Sequence, residues 1–224
     1  MMFSTVLDIL WTYRQGFLNG LVVTLQMAAI IWGVGILGGA ALGWLGAQHR
    51  MAIGLPSRAF SFLLSGVPIL VFLFWLHYPL QAMLDVVVDP FITATLTFTI
   101  VNVFAVSDLV RGAINDFPRQ YRISARVCGL TPSQIAFRIE LPLLLREILP
   151  GLMMLQVAML HTTLFASLIS VEEIFRVAQR INASIYKPVE IYTALGMFFL
   201  AICLPINGIA LWLKGRFTRD ISEQ

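Results

Sequence analysis

DLVRGAINDFPRQYRISARVCGLTPSQIAFRIELPLLLRE, residues 108–147, is a charged stretch set between segments that carry almost no charge. It holds Arg111, Arg119, Arg122, Arg126, Arg138 and Arg146. Outward from it the sequence turns apolar in both directions, and the runs 15–48, 59–84, 90–107, 148–171 and 191–213 are each at least as long as the roughly 17 to 25 residues that one bilayer crossing requires. With 58% hydrophobic and 12% charged residues in a 224-residue chain, there is more apolar surface than one soluble core can hide. The reading is an all-α membrane protein with five transmembrane helices, forming one domain over 1–224 with a loop at 108–147 between the third and fourth spans.

Orientation follows from the basic residues, which cytoplasmic loops hold in excess. With the N-terminus outside, the inner side receives Arg50, Arg58, the six loop arginines, Lys214, Arg216 and Arg219, which is eleven of the fifteen. The outer side keeps Arg14, Arg176, Arg180 and Lys187, together with Asp85 and Asp89. This predicts N-out and C-in. The net charge of +3 needs no nucleic-acid partner, because the positive-inside bias already produces it. No basic segment precedes the first apolar run, so that span is expected to remain in the mature protein. The two cysteines, Cys128 in the loop and Cys203 in the last span, are expected to be free thiols.

The loop is punctuated as two short helices. Asp116 and Pro118 suit the start of the first, and Gly129 suits the left-handed residue that stops it. Thr131-Pro132-Ser133-Gln134 has the form of a capping box, which opens a second helix expected to run to about Ile139 and to end before Pro142. Two capped helices rich in arginine suggest a docking surface rather than a plain connector.

These residues resemble the EAA loop of ATP-binding-cassette importer permeases: Ser124-Ala125, Gly129 and Ile139-Glu140-Leu141-Pro142 match its pattern. Further strings are similar to the polar amino-acid branch, the histidine, glutamine and arginine permeases. They are Gly20-Leu21-Val22-Val23-Thr24-Leu25-Gln26, Gly66-Val67-Pro68, Asp108 to Ile114, Lys187 to Tyr192 and Leu204-Pro205. The resemblance covers roughly 16–216 and implies a type I importer permease fold in the bacterial cytoplasmic membrane. It also implies that Ser124, Ala125, Arg126, Gly129, Leu130, Pro132 and Gln134 form a coupling helix seated on a separate ATPase. The chain departs from the pattern at Ile123, where the family has Glu, at Ser65, Val67 and Phe72 in the second span, and at His161-Thr162-Thr163-Leu164 in the fourth. Either a partner permease carries the missing polar contacts, or the cargo is less polar than a charged amino acid.

In the fourth span Gln156, Thr163, Ser167 and Ser170 fall on one helical stripe, which is expected to face the partner or the substrate pathway. Hydrogen bonding between helices reads the same residues equally well. His161 lies off that stripe at a depth where an ionisable group is costly, so it joins the pathway candidates. In the first span Gly35, Gly39 and Gly43 recur every four residues and predict a seam of close helix packing. Pro68, Pro79 and Pro205 interrupt helical hydrogen bonding in or near spans.

The sequence has no GxxxxGK[ST] loop, no HExxH and no GxSxG, so no catalytic or metal-binding residue is assigned, and the chain is not expected to be an enzyme. No cofactor is expected on this chain; ATP and magnesium belong to the partner ATPase. The expected assembly contains a pair of ATPase subunits, a second permease subunit in a mixed or identical pair, a periplasmic or surface solute-binding protein that uses residues 172–190, a small polar solute and the surrounding lipid. The expected function is uptake of polar amino acids or their derivatives. A secondary carrier or channel subunit working without ATP is the alternative, and it leaves the two loop helices without a task.

Overall fold

A computed structural model describes residues 2–222, with side chains placed for 6–217, so the side chain of Arg219 lies outside the described residues. Four of its helical segments are long and apolar enough to cross a membrane: Arg14–Gln48, Pro90–Asp116, Pro132–Ile169 and Pro188–Phe217. A fifth unit, Arg50–Gly66 with Ile69–Leu84, passes the same test as a pair bent by 97°.

The helices in order are α1 (Met2–Thr12), α2 (Arg14–Gln48), α3 (Leu55–Gly66), α4 (Ile69–His77), α5 (Pro79–Leu84), α6 (Pro90–Asp116), α7 (Arg119–Val127), α8 (Pro132–Ile135), α9 (Leu141–Thr162), α10 (Ile174–Ile185) and α11 (Pro188–Ser222). A π turn over Arg50–Gly54 precedes α3, another over Ala136–Glu140 joins α8 to α9, and a 3-10 segment, Thr163–Ile169, extends α9.

The α2–α6 seam organises the bundle. A Cβ at Gly39 would stand 2.5 Å from Val106 Cβ, and one at Gly43 2.6 Å from the Ser107 carbonyl oxygen. At Gly35 it would fall inside the Asn102 side chain. Only glycine permits this approach, as the four-residue spacing predicts. Gly35 faces Asn102 while Gly43 faces Ser107 and Val110, so α2 and α6 run parallel. The chain must therefore cross back between them.

Contacts along α6 show that α3 to α5 make that crossing despite the bend. Arg111 Nη1 donates to Ser57 Oγ at 3.4 Å, the Phe60 and Phe104 rings lie 4.7 Å apart, and Gln81 Nε2 donates to Thr93 Oγ1 at 3.1 Å. The unit thus follows α6 antiparallel from its last turns to its first. The expected continuous second span is broken instead, because Pro68 holds Val67 in extended backbone (φ −104°, ψ 124°) and the helix restarts in a new direction. Helix α9 is antiparallel to α6, with Gln156 beside Asn102 and Gly151 beside Leu109. Helix α11 returns along α9, from His161 beside Cys203 to Arg146 over the Phe217 ring. Five crossings result, with Arg50, the 117–140 loop and Lys214 at one end and Arg14 and α10 at the other.

In the core between the crossings Met27, Ile31, Leu73, Ala94 and Phe98 form one fully buried apolar cluster, and the polar Thr97, Asn102, Ser107 and Thr163 are buried as deeply. Cys128 is exposed and Cys203 buried, neither in a disulfide.

Candidate functional site

At the loop end, α7 closes with a paired set of backbone bonds. Gly129 N–H donates to the Arg126 carbonyl at 3.0 Å and Leu130 N–H to that of Ala125 at 3.1 Å, the pattern of a Schellman motif. The residue between them in the geometry, Gly129, takes φ +77°, which an L side chain occupies only at a cost. Two residues later the capping box is complete: Thr131 N–H donates to Gln134 Oε1 at 2.9 Å and Gln134 N–H to Thr131 Oγ1 at 3.4 Å. Both punctuation marks lie where the sequence puts them.

The end of the second loop helix does not. Helix α8 continues without a stop through the π turn into α9, so that residues 132–169 form one helical rod. Pro142 has no N–H and its ring crowds the carbonyl four residues earlier, which predicts a break. The π turn accommodates it by widening the preceding turn: Leu141 N–H reaches back five residues to the Ala136 carbonyl.

Ala125 is buried and anchors α7, whereas Ser124, Arg126, Gly129 and Pro132 are exposed and Leu130 and Gln134 half-buried. Arg122 Nε lies 2.6 Å from Glu140 Oε1 and ties α7 to the π turn. Ile123 is 62% exposed and Val127 84%, one turn apart on α7, and Phe137 is 70% exposed nearby in sequence. The loop therefore presents apolar side chains at the surface among the exposed Arg119, Arg126 and Arg138. Ile123 and Val127 lie outside every segment long and apolar enough to cross a membrane, so lipid does not account for their exposure.

Three of the four residues of the fourth-span stripe are buried within the subunit. Gln156 is buried in a reciprocal amide pair with Asn102 (Asn102 Nδ2 to Gln156 Oε1 3.0 Å, Gln156 Nε2 to Asn102 Oδ1 3.2 Å). Asn102 also donates to the Ile31 carbonyl at 2.9 Å, and Trp32 Nε1 to the Gln156 carbonyl at 3.0 Å. Thr163 and Ser167 are buried too, and donate to the carbonyls of Leu160 at 2.8 Å and Leu164 at 2.7 Å on their own helix. Gln156, Thr163 and Ser167 thus face the inside of the subunit, where the amide pair ties α6 to α9 and the Trp32 and Ile31 bonds add α2, while Ser170 is exposed. The reason is local: amides in an apolar interior must pair, and Asn102 sits at the matching level. His161 is exposed as well, its Nε2 3.3 Å from Cys203 Sγ.

Sequence reasoning passed over Asn102 and Glu173. An asparagine inside an uncharged run was the available signal for the first. Glu173 is fully buried at the start of α10, where its carboxylate accepts from Phe175 N–H at 2.8 Å and Arg176 N–H at 2.7 Å. Burial pushes this carboxyl up to about 7, against the two amides that favour its charged form. Residues 172–190 thus hold a helix pinned to α2, with Ile174 N–H donating to Thr24 Oγ1 at 3.2 Å and Val177 against Gly16 and Gly20.

Comparison with known proteins agrees with this architecture. The histidine/lysine/arginine/ornithine permease HisQ of Escherichia coli K12 is 27% identical over 226 residues, covering 96% of this chain and 98% of HisQ. The octopine permease OccM of Rhizobium meliloti is 28% identical over 236 residues, with 96% and 95% covered. The glutamine permease GlnP of E. coli K12 is 27% identical over 212 residues, with 92% and 95% covered. Among solved structures, an amino acid ABC transporter crystallised with histidines superposes with a TM-score of 0.81 at 21% identity, over 92% of this chain and 96% of that one. The methionine transporter MetNI, facing inward, gives 0.69 at 15% identity, over 92% and 98%. The family model for the binding-protein-dependent transport system inner membrane component matches residues 35–219, and the chain belongs to that family of membrane permease subunits.

Proposed function

We propose that this chain is one permease half of an importer for polar amino acids or their derivatives, with its N-terminus outside and its 117–140 loop seated on a separate ATPase in the cytoplasm. The observation that carries the reading is the loop itself: two helices fixed by a Schellman motif and a capping box, presenting Ile123, Val127 and Arg126 outward. The curated relatives named above serve histidine, lysine, arginine, ornithine, octopine and glutamine, which supports an amino-acid cargo.

The transmission route follows from continuity. A continuous helix over 132–162 joins the loop to the membrane interior, so displacement of the capping box by the ATPase moves α9 as a body. At its far end the helix tightens to 3-10 geometry over Thr163–Ile169 and then turns through Ser170, at φ 71°. A 3-10 run of this length inside a span suits a hinge. His161, exposed just before it, is the side chain we assign to the interface with the second permease subunit, since an imidazole facing lipid would be costly. Residues 172–190 meet the binding protein through the outward side of α10. Nucleotide chemistry remains on the ATPase pair.

Two experiments test this. In proteoliposomes holding the complete importer, Gly129→Ala and Arg126→Ala are expected to abolish the stimulation of ATP hydrolysis by loaded binding protein while the complex still purifies intact; unchanged uptake in both variants refutes the coupling role. A membrane-impermeant maleimide is expected to leave the exposed Cys128 unlabelled in intact cells and to label it after permeabilisation. Labelling of intact cells reverses the orientation.

A further inference from the structure

We infer that the end of the bundle where α2 and α11 begin holds one anionic phospholipid, its phosphate on Arg14 with help from Arg180, and an acyl chain in the cleft between α1, α2 and α11. Two cavities adjoin there. One, of about 420 Å³, is lined by the α1–α2 junction from Thr12 to Gly16 and by Arg180 and Ser184 of α10. The other, of about 320 Å³, is lined by Leu10, Phe17, Leu21, Leu195 and Phe198 among others, and every lining residue except Arg14 is apolar. Arg14 is the one residue the two share. A guanidinium therefore sits at the boundary between a polar recess and a greasy one, which is the arrangement an amphiphile with an anionic head satisfies. A free anion would leave the apolar cleft empty, and a neutral lipid would leave the charge unmet.

Arg14 has donors to spare. Its Nη1 donates to the Trp11 carbonyl at 3.0 Å and its guanidinium lies 4.9 Å from the Trp11 ring centre, while among the described residues no carboxylate pairs with it. Five N–H groups in a planar fork suit bidentate binding of a phosphate. Arg180 is already shared with Glu172 at 3.0 Å, so it contributes less. Trp11, 72% exposed, lies in the last turn of α1, three residues before the long apolar helix α2 begins at Arg14, and indoles at such positions mark the headgroup level of a bilayer. This inference requires only that the chain lies in a membrane, and it is independent of the importer assignment.

The test is native mass spectrometry of the full chain, delipidated in detergent and offered phosphatidylglycerol, diacylglycerol with the same acyl chains, or inorganic phosphate. We expect phosphatidylglycerol to be retained about tenfold better than diacylglycerol, which lacks the phosphate, the size of effect one lost charge-assisted contact produces, and inorganic phosphate not to displace it. Arg14→Ala is expected to lower retention about tenfold, Arg14→Lys less, and Ala194→Phe, which fills the cleft, by a similar amount. Arg176→Ala removes a positive charge from the neighbouring helix α10 at a residue that lines neither cavity, and is expected to leave retention unchanged. Unchanged melting temperatures in the detergent alone identify the variants as folded. Equal retention of the two lipids, equal losses in Arg14→Ala and Arg176→Ala, or displacement by inorganic phosphate overturns the proposal.

Discussion

Replacing Gly39 by alanine is the most discriminating probe of the fold. The added Cβ would stand 2.5 Å from Val106 Cβ and 2.7 Å from the Val103 carbonyl oxygen, against an ordinary carbon contact of about 3.5 to 4.0 Å. Both neighbours are held by a helix backbone, so the seam must open by roughly 1 Å, an overpacking that costs about 1 to 3 kcal/mol. Alanine also gains about 1 kcal/mol of helix propensity over glycine, which partly offsets that cost. Gly33→Ala on the same helix isolates the seam, because its Cβ would meet nothing within 4 Å while the propensity gain is the same. The difference between the two variants is therefore the clash alone, about 1 to 3 kcal/mol. Unfolding of the full chain by dodecyl sulfate in mixed micelles, followed by tryptophan fluorescence, measures it. Trp32, bonded to the Gln156 carbonyl at 3.0 Å, reports on the same interior. Equal stability of the Gly39 and Gly33 variants would show that the two helices are not packed as described.

Three further outcomes are expected. Asn102→Leu strands the Gln156 amide and is expected to cost about 1 to 3 kcal/mol, while Asn102→Leu with Gln156→Leu costs less than the sum of the singles; strict additivity in that cycle denies the pair. Glu173 has a folded-state pKa raised from 4.5 to about 7, so the folded chain holds a proton there that the unfolded chain has released, and stability is expected to fall as pH rises from about 4.5 through 7. Thermal melts across that window read the slope, and Glu173→Gln flattens it; a wild-type melt that rises with pH contradicts the burial argument. Thr131→Ala removes the cap of the second loop helix and is expected to cost about 1 kcal/mol locally, seen as faster amide exchange over 132–140 with the spans unaffected.

The crossings, their number and the loop punctuation were legible because each rests on short-range chemistry: apolar length, a glycine at a left-handed residue, a threonine and glutamine three apart. The glycine seam was legible for the same reason. What the sequence concealed depends on partners far along the chain. The direction of the Gln156 stripe could not be read without knowing that Asn102, 54 residues away, arrives at the same level. Pro142 predicted an ending that the π turn avoids, and Pro68 turned a single apolar run into two helices at 97°. Glu173 gave no sign, since a glutamate beside another glutamate ordinarily stays in water. Its burial comes from the close fit of α10 on Gly20.

The parallel pairing of α2 with α6 also sets an order of events during synthesis. The grooved face of the first crossing enters the bilayer with nothing to fill it, and must wait until two more segments have been threaded. When the third arrives, its asparagine is still short of the glutamine that completes it, because that residue emerges from the ribosome 54 positions later. The nascent chain therefore passes through a stage with an incompletely satisfied amide in hydrocarbon, and the fourth crossing closes the subunit by supplying the missing half.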